Sequence, residues 1–158
     1  DGNTGRYLNI NGGSAPLAYG EIKTTNGDIN LDTTSSNSAI TFRGGTGALA
    51  RAQTITGNIH VGTQTSTPPA NVDFYGGNGA DAFSGLFVQG KGNINLNAGN
   101  ITYKGGGDGE THVGSQTNNG TVTHTASGTL HMETGTHANS NALLQGTHVN
   151  VTTGNTLI

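Results

Sequence analysis

The residues in this chain best suited to chemistry are one aspartate in a glycine-rich string and six histidines. Gly76-Gly77-Asn78-Gly79-Ala80-Asp81-Ala82-Phe83-Ser84 fits the nonapeptide G-G-x-G-x-D-x-U-x, in which turn carbonyls and the aspartate carboxylate hold Ca²⁺ between stacked turns. That chemistry needs a second copy about one turn away. Gly105-Gly106-Gly107-Asp108-Gly109 has the glycines without the spacing, so a plain glycine turn competes with calcium at Asp81. The histidines are His60, His112, His124, His131, His137 and His148. His112, His131 and His148 recur at intervals close to one turn of a repeat. Imidazoles stacked in a column could take a transition metal. No H-x-x-x-H pair and no cysteine supports that site, and histidines on strand surfaces or corners are the simpler reading.

Catalysis finds little footing. The nine acidic residues are scattered; Asp28 and Asp32 lie close together, as do Asp108 and Glu110. Polysaccharide cleavage needs two carboxylates facing one bond, and corner acids such as Asp28 and Asp32 read more simply as solvated. No G-x-S-x-G elbow accompanies the serines and histidines. Asn100-Ile101-Thr102, Asn119-Gly120-Thr121 and Asn150-Val151-Thr152 are glycosylation sequons, but an Asn- and Thr-rich chain produces these by chance. The chain is read as a non-enzyme without a required cofactor.

The bulk composition narrows the classes. There are 158 residues, 28 of them Gly, with 9 % charged residues and a formal charge of −3. Glycine, threonine and asparagine disfavour helix, and no window shows helical apolar spacing. No apolar run approaches the length of a membrane helix. Six cations stand singly along the chain, so no basic cluster is present to bind nucleic acid. With no Cys, disulfides and thiol chemistry are excluded. The only Met is Met132 and the pattern runs up to both ends, so the chain reads as a piece of something longer.

The elements that must position any site are short strands. Gly92-Asn93-Ile94-Asn95-Leu96 returns as Gly27-Asp28-Ile29-Asn30-Leu31. Variants begin at Gly57, Gly99, Gly120 and Gly128. Each is a turn residue, a small polar residue and one apolar-polar-apolar alternation. Such a unit buries its apolar face only by stacking on copies of itself. The expected fold is therefore all-β, a parallel β-helix (β-solenoid) with about 20–25 residues per rung. Six to eight rungs would make a rod of roughly 30 to 40 Å. The expected inward columns are Ile29, Leu31, Ile40, Phe42, Ile59, Val61, Ile94, Leu96, Ile101, Tyr103, Val122, Leu130, Val149 and Val151.

A coarser repeat divides the single segment, residues 1–158, into modules 17–85, 86–142 and the start of a third at 143–158. Gly27 corresponds to Gly92 and Ile40 to Ile101. His60-Val61-Gly62 is matched with His112-Val113-Gly114. The stretch 72–88, with Phe74, Tyr75, Phe83 and Phe87, breaks the rhythm and is expected to be an extra-coil insert whose aromatics cover the flank.

The G-N-I-x-L and A-G-N-I-T-Y strings, best seen in Gly92 to Tyr103, resemble the repeats of haemagglutinin-type, filamentous haemagglutinin-like exoproteins. Autotransporter passengers look similar. The resemblance implies a right-handed helix, secreted to the bacterial cell surface, and no functional residue carries over with it. The expected role is a structural, adhesive stalk or filament segment that presents loops. Its partners would be adjacent segments or copies of the same filament, and host or neighbouring-cell surfaces including glycans. The alternatives are a self-polymerising extracellular filament subunit and a β-helical carbohydrate-active enzyme or tailspike.

Overall fold

The structure is a computed structural model, and it describes residues 7–15, 18–33, 35–63, 67–79, 82–107 and 111–158. Asp81, Asp108 and Glu110 lie outside the described residues. Fourteen strands and no helix occur among the described residues. All the ladders between the strands are parallel.

The strands form three stacks that the chain visits in rotation. The first face is built from β1 (Tyr7–Asn11), β4 (Ala39–Arg43), β7 (Asn71–Tyr75) and β10 (Asn100–Lys104), in that order. The second face is built from β2 (Gly20–Asn26), β5 (Ala50–Thr56), β8 (Ala82–Lys91), β11 (Thr111–Asn119) and β13 (Asn141–Gln145). The third begins with β3 (Ile29–Leu31), β6 (Ile59–Val61) and β9 (Ile94–Ala98). The long strand β12 (Thr121–Glu133) joins two faces: Val122 to Ala126 pair with β9, while Leu130 to Glu133 pair with β10. The strand β14 (His148–Leu157) then follows β12 along both.

This is a β-solenoid of about five turns. Its turns are longer and fewer than the sequence suggests. Ile29, Ile59, Ile94, Val122 and Val149 are successive partners in one column, so a single step along the axis spans almost half the coarse module. The shortfall has a simple cause. The glycine-headed motif marks the corner before the third face in successive turns and the corner before the first face only in later turns, so motif spacing underestimates the length of a turn. Gly27, Gly57, Gly92 and Gly120 precede strands of the third face, whereas Gly99 and Gly128 precede strands of the first. Five turns at about 4.8 Å rise make a described rod of about 24 Å.

The stretch 72–88 is not an insert. β7 pairs with β4 and β10, and β8 pairs with β5 and β11, so both are ordinary parts of one turn. The aromatic content misled because only Phe74 faces inward; Tyr75, Phe83 and Phe87 are half-buried on the outside. The match of His60 with His112 also does not hold, since β6 lies on the third face and β11 on the second.

Inward positions form columns. Ile29, Leu31, Ile40, Phe42, Ile59, Val61, Ile94, Leu96, Ile101, Tyr103, Val122 and Leu130 are all buried. Phe42, Phe74 and Tyr103 stack ring on ring, at centroid distances of 5.0 and 4.7 Å. Val149 and Val151 depart from the expectation: each is 42 % exposed. They sit in register over Val122 and His124, but β14 has no described strand beyond it. Inward-facing residues of the last turn therefore meet solvent.

Candidate functional site

Asparagines at the corners form a ladder along the rod axis, as a stacked Asn-rich chain is expected to, and Asp28, read in the sequence as a solvated corner acid, belongs to it. The Asp28 carboxylate accepts from the Asn58 amide N–H at 2.7 Å. Asn58 Oδ1 accepts from Asn93 N at 2.9 Å, and Asn93 Oδ1 from Thr121 N at 2.8 Å. One side-chain oxygen per turn thus satisfies a corner N–H of the next turn, and Asp28 starts the column as a structural acceptor. A second, shorter column runs from Asn71 through Asn100 to Thr129.

The expected histidine column does not form. His112 lies on the second face, His131 on the first, beside Glu133 at 3.7 Å, and His148 on the third. Their intervals in the chain are too short to bring them into line once each turn is as long as the strand register makes it. No group of three His, Cys, Asp or Glu residues suited to a metal occurs among the described residues. Around the calcium-like string, Gly105 and Gly106 do stand one turn above Gly76 and Gly77, because Tyr75 pairs with Lys104. Asn78 Oδ1 accepts from Gly107 N at 3.2 Å.

His124 is the histidine that sequence reasoning misplaced. It is buried in the core, where its Nε2 meets the Tyr103 hydroxyl at 2.5 Å. The same hydroxyl meets Ser115 Oγ at 2.7 Å. Tyr103, Ser115 and His124 come from the three faces of a single turn. Phe74, Leu86 and Leu96 occupy the equivalent positions one turn below. Met132, Leu144 and Val151 occupy those one turn above. Burial holds the His124 pKa down at about 3, only partly opposed by the Thr123 backbone. His124 Nδ1 has no hydrogen-bond partner among the described residues. Burial also drives the Tyr103 hydroxyl well above its usual range, against the opposing hydrogen bond to Ser115. The cluster is neutral at physiological pH. Ser115 and His124 are linked through the Tyr103 hydroxyl, and all three side chains are buried.

The outer faces are where contact with another molecule is possible. On the first face, Arg43, Tyr75, Lys104 and Glu133 succeed one another in register. The Arg43 guanidinium lies 4.2 Å over the Tyr75 ring, and Lys104 pairs with Glu133 at 3.1 Å. Beside them Asp73 has its pKa raised by burial, against the hydrogen bond from Thr102 and the charge of Arg43. These groups neutralise one another. On the third face a shallow polar cleft of about 420 Å³ is lined by His60, Thr63, Asn95, Asn97, Thr123 and others.

The second face is different. Phe83 and Phe87 project outward from β8, with Gly85 between them. His112 and Gln116 project from β11 above, with Gly114 between them in register with Gly85. Two clefts, of about 280 and 180 Å³, share Phe83 and Gln116 and form one depression. Arg51 lines it below and Leu143 above. Sequence reasoning noticed both phenylalanines but not their partners, because His112 and Gln116 lie a full turn further along the chain and become neighbours only through the length of that turn. No protein-family model matches the chain, and neither does any curated protein or solved structure.

Proposed function

We propose that this chain is a structural segment of an extracellular adhesive filament, a stiff stalk that carries contact surfaces on its flanks. The observation that carries the reading is the continuity of the stacks. Inward columns and asparagine ladders run from turn to turn along the axis. The outermost strands β1, β2, β3, β13 and β14 each pair on one side only among the described residues. Val149, Val151 and Leu157 are exposed at the last turn. Open strand edges above an apolar cross-section accept further turns. The absence of cysteine and the low charge suit a chain exported to a bacterial surface, and the G-N-I-x-L repeats point the same way.

A chain carrying two copies in tandem tests the stalk. Small-angle scattering should show one rod of constant cross-section, lengthened by about 4.8 Å for every added turn. Two jointed bodies or a compact particle would overturn the reading. The exposed last turn also favours a second reading, end-to-end association of separate copies. A head-to-tail contact of that kind does not close on itself and builds an open filament. Sedimentation of the single chain should then show a concentration-dependent series of longer rods.

A further inference from the structure

We propose that the depression on the second face is a binding site for an uncharged oligosaccharide. Three features carry this assignment. The first is shape. Gly85 and Gly114 place no side chain between the columns on either side, and these columns stand about 13 Å apart along the strands. The depression is concave, partly apolar and edged by a few polar groups, as small-ligand sites are.

The second is the chemistry of its rim. Phe83 and Phe87 are half-buried rings held by a rigid sheet, so they offer apolar faces at little entropic cost. Gln116 and His112 border the rings with planar donors and acceptors. Gln116 is itself fixed, donating from Nε2 to Gln145 Oε1 at 2.8 Å. A pyranose ring has a matching surface, with an apolar face of C–H groups and an edge of hydroxyls. Two partly exposed rings and a short polar rim fall far below the roughly 800 Å² per partner that a stable protein interface needs.

The third is charge. Arg51, the cation in the depression, is paired through Nε with Glu21 Oε1 at 2.6 Å. Lys23 stands two strands below Phe87 in register. Among the described residues no unpaired cation lines the depression to select an acidic sugar, so the recognised ligand is neutral. An oligosaccharide fits better than a single sugar because the two rings stand about 13 Å apart along one strand, farther than one sugar ring reaches.

The setting of such a ligand rests on the adhesive reading above, but binding is measured separately from rod shape. The 158-residue chain would be tested by saturation-transfer difference NMR against cellohexaose, laminarihexaose, xylohexaose and lacto-N-neotetraose, with 3′-sialyllactose as the acidic probe. At least one neutral probe should receive saturation on its ring protons. Phe83→Leu and Phe87→Leu keep apolar bulk but remove the ring. Each should weaken binding of that probe at least tenfold while leaving the melting temperature unchanged. Gln116→Ala should weaken it without disturbing the core. Binding of no neutral probe, binding of the sialylated probe alone, or equal binding by the leucine variants would overturn the assignment. A rod that fails to bind refutes the site and not the stalk; a sugar-binding chain that is not a rod does the reverse.

Discussion

Tyr103, Ser115 and His124 form a polar layer inside an otherwise apolar stack. Such a layer is stabilising only while each member keeps its partner, since an orphaned buried donor or acceptor costs roughly 1–3 kcal/mol. His124 has a native pKa of about 3 against an ordinary value of 6.5. The unfolded chain therefore binds a proton that the folded chain refuses. The stability from this group is complete above pH 6.5 and is lost as pH falls toward 3. Between pH 7.5 and pH 5, urea unfolding should show a loss of about 2 kcal/mol from this residue. His124→Leu should flatten that slope, and an unchanged slope would show that His124 is not held neutral in the core. The layer as such was not legible beforehand, but the place of His124 was: it stands two positions after Val122 on one strand, so an inward Val122 carries His124 inward, opposite Leu96. Reading the histidines as surface residues passed over that signal.

At the scale of elements, the corners decide which glycines the fold tolerates losing. Gly27 and Gly57 share a φ of +136°, a conformation that L side chains rarely adopt. Their surroundings differ. A Cβ on Gly57 would collide with the carbonyl oxygen of Gly27 in the turn below, whereas the nearest atom to a Cβ on Gly27 is Thr24 Oγ1 at 3.8 Å. Gly27→Ala should cost about 1 kcal/mol, the backbone strain alone. Gly57→Ala adds backbone overlap and should cost about 4 kcal/mol. Equal losses in denaturant titrations would mean that the corners do not stack as described. The repeated Gly-Asn and Gly-Asp pairs announce a corner in any reading of the chain. Which corner, and which neighbour crowds it, depends on strands a full turn away.

For the whole molecule, stability should fall off from the middle turns to the open end. Ile94 is fully buried between Ile59 and Val122, whereas Val149 is partly exposed above Val122. Ile94→Asp places an unpaired charge in the core and should unfold the chain. Val149→Asp should cost no more than about 1 kcal/mol. Circular dichroism melts compare the two. A collapse of both variants would show that the last turn is covered in solution, as end-to-end association requires. The same architecture explains the coarse repeat in the sequence. Ile29 and Ile94 are two turns apart with Ile59 between them, so the coarse module is a pair of turns.

Composition and local pattern by themselves determined that this chain is all-β, that it stacks in parallel, and which aliphatic positions point inward. Each of these follows from residues within a few positions of one another: a glycine, a small polar side chain and one alternation that only a stacked copy can bury. The length of a turn, the assignment of strands to three faces, the meeting of His124 with Tyr103 and Ser115, and that of Phe83 and Phe87 with His112 and Gln116 were decided by tertiary structure. All of these depend on how long the variable loops are, and a slip of a single position in a stack moves every side chain to the opposite surface.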